Sequence, residues 1–217
     1  MVLRKLFSLD SNLNGRGPVL FAWQKEGTFL AVAGASRRVL IVDRQGKTAH
    51  QLALQGQTAP IALDWDCNGE VLAILQEKGT SVTLYNLHTK KQDVIETGFK
   101  DVTVMAWSKV GPQLALANAK GALMIYNKDS LKKIPIMGKH SKKITGIQWN
   151  NRNMLALIGE DKQLSISDAE GTTLDQVTLK VEPLGVTFTD IKAEDRAGDV
   201  ENTVAMNMNG KTVLLYH

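Results

Sequence analysis

The 217-residue sequence predicts an all-β chain of WD-repeat β-propeller blades, about five four-stranded units of ~42 residues each. Three observations carry this. The four tryptophans, Trp23, Trp65, Trp107 and Trp149, recur at intervals of 42, 42 and 42 residues, with Phe188 a further 39 residues on. A second column ends a short alternating run in every unit: 39–43, 82–86, 123–127, 164–168 and 213–217. All three tyrosines, Tyr85, Tyr126 and Tyr216, share one place in that column. Between the columns lies an apolar run of six residues, at 29–34, 71–76, 113–118 and 154–159.

Each unit then reads in the same order. A strand ends on the tryptophan, and a turn follows: Lys25-Glu26-Gly27, Cys67-Asn68-Gly69, Val110-Gly111-Pro112, or Asn150 to Asn153. The apolar run is the second strand, a polar turn follows, and the third strand closes on the aromatic column. A weaker outer strand completes the unit, as in 131–137 or 172–179. None of these apolar runs reaches helical length, and turn residues bound each of them, so strands are expected throughout. A blade cannot bury both faces of its own sheet. The tryptophans are therefore expected to plug the seams between blades, and the tyrosines to reach the blade edge with their hydroxyls.

The chain departs from the repeat at both ends. The fifth unit stops on its third strand, and residues 3–9 ahead of the first unit have strand-like composition. Two arrangements fit one propeller region over 1–217. Residues 3–9 close a five-bladed ring, or the chain is an arc of a larger, seven-bladed propeller whose edges would otherwise stay unpaired. The fifth unit also carries an acidic insertion at 190–202, around Asp195, expected to be a loop open to partner contact.

Composition narrows the function. One cysteine, Cys67, excludes an intrachain disulfide framework and a four-cysteine zinc site. No apolar run of about 18 residues is present, and the N-terminus lacks the apolar core of a secretory signal, so a soluble intracellular protein is expected. The four histidines, His50, His88, His140 and His217, are never paired at metal-ligand spacing. No nucleophile-elbow, zinc-protease or phosphate-loop motif occurs, so neither catalysis nor a cofactor is expected. A hydrolase site built from carboxylates at the central channel is the remaining enzymatic alternative.

The fourth unit keeps the fuller WD pattern: Gly138-Lys139-His140, then Gly159-Glu160-Asp161, then Ser167-Asp168. His140 and Asp161 are expected to share a buried hydrogen bond that locks the turn. The same stretch holds the densest charge, with Lys132, Lys133, Lys139, Lys142 and Lys143. Those lysines, with Asp195, are the candidate contact residues for a protein partner or, weakly, an anionic membrane. Nucleic acid is not expected, because no exposed aromatics interleave with the lysines once the tryptophans and tyrosines are assigned to the core.

Longer segments carry a family resemblance. Residues 21–47, 63–75, 106–127, 132–150 and 153–171, including KKIPIMGKHSKKIT and EDKQLSISDAEG, resemble the N-terminal propeller of the intraflagellar transport protein 144 (WD repeat-containing protein 19) family. The insertion at 190–202 matches it poorly. The resemblance implies a non-enzymatic subunit of transport complex A at the cilium and basal body, acting in retrograde transport and in receptor entry through a tubby-like adaptor. Family members carry two propellers and a helical solenoid, so the resemblance implies a piece of a longer scaffold. A self-contained five-bladed scaffold outside cilia is the rival expectation.

Overall fold

A computed structural model describes residues 5–56, 58–192 and 200–216. The chain forms two compact units, residues 1–98 and 99–217. In the first, a short helix α1 (Ser11–Asn14) precedes two antiparallel four-stranded sheets. These are β1 (Leu20–Trp23), β2 (Phe29–Ala33), β3 (Arg38–Asp43) and β4 (Thr48–Ala53), then β5 (Pro60–Trp65), β6 (Val71–Gln76), β7 (Ser81–Asn86) and β8 (Gln92–Glu96). The second unit holds β9 (Val102–Trp107), β10 (Gln113–Asn118), β11 (Leu123–Asn127) and β12 (Lys133–Ile136) in one sheet. A second sheet contains β13 (Ile144–Trp149), β14 (Leu155–Gly159), β15 (Gln163–Ser167) and β16 (Thr173–Thr178). The last has three strands, β17 (Pro183–Lys192), β18 (Val200–Met208) and β19 (Thr212–Tyr216). Within each sheet, strands follow in sequence order, which is the up-and-down meander of a propeller blade.

Strand register shows why the repeat has two aromatic columns. Trp65 lies opposite Leu72, and Leu72 opposite Tyr85; Trp107, Leu114 and Tyr126 repeat the row. Trp149, Leu155 and Ser167 form the fourth row, and Trp23, Leu30 and Val42 the first. One face of each of these four sheets is thus a cross-strand ladder, of large side chains except at Ser167, and such pairs are the unit from which sheets gain stability.

The opposite face presents a column of alanines: Ala31, Ala73, Ala115 and Ala156, none with any exposed area. Ala31 pairs with Ala22 and Ala115 with Ala106, so two methyl-sized side chains sit side by side. That shallow spot admits the next sheet's indole down to the backbone. Trp65 donates its indole N–H to the Ala22 carbonyl at 3.1 Å, and Trp149 donates to the Ala106 carbonyl at 2.9 Å. Around these bonds close one apolar cluster, joining Ala31, Val39 and Ile41 to Trp65 and Leu72, and another, joining Ala115 and Ile125 to Trp149 and Leu155. A third joins Ala156, Ile158 and Leu164 to Val204, Met206 and Met208.

Turns use a polar residue directly after each column. Asp43, Asn86 and Asn127 end the third strand and Asp168 follows it, and each side-chain Oδ1 accepts two backbone N–H groups of its turn. Asp66, Ser108 and Asn150 do the same after the tryptophan. These are Asx-type turns, in which the side chain replaces a backbone partner.

Three expectations change. Trp23 plugs no seam: it is 50% exposed, beside Phe21 at 68%, while Trp65, Trp107 and Trp149 are at 6% or less. β1 is the first strand of its unit, and alternation turns Leu20 and Ala22 toward the neighbouring sheet and Phe21 and Trp23 away from it. Residues 5–9 form no strand; instead Phe7 lies over the β3–β4 turn, where it would collide with a Cβ on Gly46. Residues 1–4 fall outside the described residues. The insertion at 190–202 is partly strand, since residues 190–192 pair with 200–202 and lengthen the β17–β18 hairpin.

The seam geometry fixes the order of mutational costs. Trp65→Ala and Trp149→Ala should each lose about 3–5 kcal/mol in urea unfolding, and Trp23→Ala under about 1 kcal/mol. Ala115→Val, favourable by strand propensity, should instead cost about 1–3 kcal/mol by lifting the indole. Equal costs for the three tryptophans would contradict the assignment.

Candidate interaction surface

The charged segment 132–143 follows a path set by one buried histidine. His140 is 3% exposed; its Nδ1 lies 2.9 Å from Asp161 Oδ1 and its Nε2 lies 2.9 Å from Ser165 Oγ. The second oxygen of Asp161 accepts the Ser141 backbone N–H at 2.9 Å. From the other side, the His140 N–H donates to the Gly121 carbonyl at 2.9 Å, and a Cβ on Gly121 would run into the His140 carbonyl oxygen. The connection between β12 and β13 is therefore held at both of its neighbouring turns. The histidine ring is thus bonded on one side to the β14–β15 turn through Asp161 and on the other to strand β15 through the fully buried Ser165.

The lysines divide into two kinds. Lys139 is 8% exposed, and its Nζ donates to the Gly171 carbonyl at 2.9 Å and to Thr173 Oγ1 at 2.6 Å. Burial lowers its pKa from the ordinary lysine value, and the nearby Asp168 carboxylate works in the opposite direction. Lys139 is thus a strut between the connection and the β15–β16 turn, and it leaves the candidate contact set. Lys132, Lys133 and Lys142 are exposed, and Lys143 is half-buried with its Nζ 4.0 Å from Glu160. A solvated pair of that length contributes at most about 1 kcal/mol. Asp195 lies outside the described residues.

Tyr85 is 2% exposed, and its hydroxyl meets His50 Nδ1 at 3.0 Å; burial raises the phenol's pKa. Burial, with the charge of Lys90, lowers that of His50. Tyr126 is 6% exposed. Tyr216 is half-buried and lies over a cavity of about 390 Å³ between the last two sheets, walled by Ile166, Leu174, Phe188 and Val204 with Asp175. Asp175 pairs across β15–β16 with Ile166 as His50 pairs with Ile41. Where His50 and Tyr85 close a seam in the first unit, Asp175 and Tyr216 border an open one, beside a phenylalanine that replaces the seam tryptophan.

Among the described residues, no three His, Cys, Asp or Glu side chains gather as a metal site, and no helix is long and apolar enough to cross a membrane. Sequence reading missed Lys139 as a strut because a lysine directly after a glycine in a connection resembles any solvated lysine. It also missed the alanine column, although the recurrence of Ala31, Ala73, Ala115 and Ala156 is plain in the chain.

The lock makes a pH prediction. Burial pushes the Asp161 carboxyl up, but hydrogen bonds from the His140 side chain and the Ser141 and Gln163 N–H groups, with the histidine charge, hold it below its ordinary value. A carboxyl depressed by folding contributes stability that is complete above its unfolded pKa of about 3.9 and is lost as pH falls through the lower folded value. Asp161→Asn should lower stability at pH 7 by about 1–3 kcal/mol and flatten the acid limb of the stability curve. Parallel acid limbs for the two proteins would contradict the lock.

Comparison with known proteins agrees with this architecture. The family model described as WDR19 first beta-propeller matches residues 19–217. The mouse and human proteins named WD repeat-containing protein 19 are both 39% identical to the chain, over 99% and 97% of its length. The Caenorhabditis elegans WD repeat-containing protein dyf-2 is 29% identical over 93% of it. The chain spans 16% of the mouse and human relatives and 14% of the worm one. A chain from the crystal structure of a mitotic checkpoint complex superposes with a TM-score of 0.72 at 18% identity, covering 90% of this chain and 59% of that one, which shows the shared fold. A WD40 propeller fold with indole-plugged seams, matched by that family model from residue 19 to residue 217, makes this chain a member of the WDR19 first β-propeller family.

Proposed function

We propose that the chain is a protein-interaction scaffold of intraflagellar transport complex A, serving retrograde ciliary transport and the entry of cargo and receptors into cilia. The family match over residues 19–217 carries this reading. Its expected partners are the other complex A subunits and a tubby-like adaptor, on the cytoplasmic face of the cilium and basal body. No reaction is assigned to it: His140 and Asp161 hold one connection in place, and His50 meets the Tyr85 hydroxyl.

The mechanism is rigid display. Side-chain-capped turns hold the loops in fixed positions, so little loop entropy is lost when a partner docks. Lys132, Lys133 and Lys142 stand on such a frame, on and beside a connection pinned by His140 and Lys139. Exposed lysines on a fixed backbone suit an acidic protein surface, and attraction of this kind raises association rate and sets orientation. The same cluster gives a weak attraction to an anionic membrane.

Affinity purification of the tagged chain from ciliated cells, followed by mass spectrometry, tests the reading. Recovery of complex A subunits is expected, with a several-fold loss in the triple variant Lys132→Glu, Lys133→Glu and Lys142→Glu at unchanged melting temperature. Undiminished recovery by the triple variant would remove the lysines from the contact. Absence of every complex A subunit would overturn the scaffold assignment.

A further inference from the structure

The turn between the third and outer strands contains one left-handed residue in each of four sheets. That position holds Gly46 (φ 83°), Lys90 (φ 59°), Leu131 (φ 57°) and Gly171 (φ 87°). The second and third of these turns are bonded alike. Asn86 Oδ1 accepts the His88 and Thr89 N–H groups, and Asn127 Oδ1 those of Asp129 and Ser130. The Asn86 and Asn127 N–H groups donate to the Lys91 and Lys132 carbonyls. Glycine takes a positive φ freely, and asparagine and aspartate take it more readily than other residues. Among the described residues, the non-glycine side chains at positive φ are lysine, aspartate, asparagine and, at position 131, leucine. Leu131 gains no burial in return, since it is 69% exposed. Residues held in this conformation against their preference concentrate at ligand-binding and switch sites.

A lone exposed leucine is ordinary on a protein surface. Leu131 is not alone. The Lys128 N–H donates to the Pro112 carbonyl at 3.0 Å, which ties the β11–β12 turn to the β9–β10 turn. On that second turn Val110 is 52% exposed, and Ser108 Oγ accepts the Val110 and Gly111 N–H groups. Two aliphatic side chains therefore stand in water on adjoining turns, each capped by a polar side chain. These turns and the residue after them carry Lys109, Lys128, Lys132 and Lys133 against one acid, Asp129. Lys109, Lys132 and Lys133 are exposed.

We infer that Leu131 and Val110 are the apolar anchor for an acidic partner segment, a stretch of polypeptide carrying aliphatic side chains between carboxylates. This rests on the scaffold reading and names the chemistry of one partner contact. The aliphatic residues of the segment cover Leu131 and Val110, and its carboxylates meet the surrounding lysines. Apolar contact at the centre with charge at the rim is the common anatomy of an interface, and the rim charges set association rate and orientation. A purely anionic surface would engage the lysines and leave both aliphatic side chains in water, so the exposed leucine favours a polypeptide over a lipid headgroup.

The test compares the 217-residue protein with Leu131→Gly and Leu131→Asn, since glycine holds this turn position at 46 and 171 and asparagine takes a positive φ at 153 and 209. The probe is a fluorescein-labelled peptide in which two leucines alternate with glutamates, followed by fluorescence anisotropy. Saturable binding is expected, at least fivefold weaker in either variant and at least fivefold weaker with serines in place of the peptide's leucines. Lys132→Glu should weaken it several-fold. Leu131→Gly should melt at the same or a higher temperature while binding less, a split that a leucine needed for packing would not give. No saturation at millimolar peptide, equal binding by Leu131→Gly, or equal binding of the serine peptide would overturn the proposal. So would binding to phosphatidylserine vesicles that is indifferent to Leu131 and unmatched by the peptide, which would assign the surface to lipid. In ciliated cells, recovery of complex A subunits should fall several-fold with Leu131→Asn. Undiminished recovery would overturn the anchor and leave the scaffold reading standing, whereas recovery of none by either protein would sink that reading itself.

Discussion

The structure depends on letting an indole reach the backbone of the preceding sheet. A tryptophan ring is the largest object a sheet seam can hold, and its N–H must find an acceptor once water is excluded. Trp65 and Trp149 solve both problems at one spot. The cross-strand pairs Ala22–Ala31 and Ala106–Ala115 are shallow enough for the ring, and the Ala22 and Ala106 carbonyls accept its N–H hydrogen bond. Each such bond contributes about 1 kcal/mol net, but the burial it permits is several times larger. Within each unit, sheets that could not be stable alone are completed by their neighbour.

Variation along the chain follows from that constraint. Phe188 keeps the ring and loses the N–H, and the seam it enters is the one with a 390 Å³ cavity. Ser167 replaces the tyrosine of its column, and it is fully buried opposite Leu155. Trp23 has the ring and N–H but no sheet before it in its unit, and it is half exposed. Chemistry at the seams is used up by packing, so the surfaces left for recognition are turns, connections and edges. His140, Asp161 and Lys139 illustrate the economy, since three charged or polar side chains are committed to holding one connection in place.

Much of this was legible in the sequence. Rare residues on one period of 42, with the second column at 39–43, 82–86, 123–127, 164–168 and 213–217, made the repeated units and their strand order readable. The His140–Asp161 pair was legible for the same reason: a lone histidine and an acid at fixed repeat positions need each other when buried. What stayed hidden depends on neighbours. Lys139 and Lys142 are alike in sequence, yet one has the Gly171 carbonyl and Thr173 hydroxyl within reach and the other points to solvent. Trp23 and Trp65 are alike too, and differ only in what lies against them. The residues at 190–192 and 200–202 read as loop because their charge conceals a hairpin extended by backbone pairing.

Exchange of the indole protons with solvent, followed by NMR, is the most direct measurement of the central claim. Each of the four tryptophans gives one Nε1–H signal, assignable by Trp→Phe variants. The seam account predicts slow, stability-limited exchange for Trp65 and Trp149 and exchange near the free-peptide rate for Trp23. Rapid exchange at Trp65 and Trp149 in the folded protein would mean that the indoles do not donate to the preceding sheet, and the account of the seams would fail.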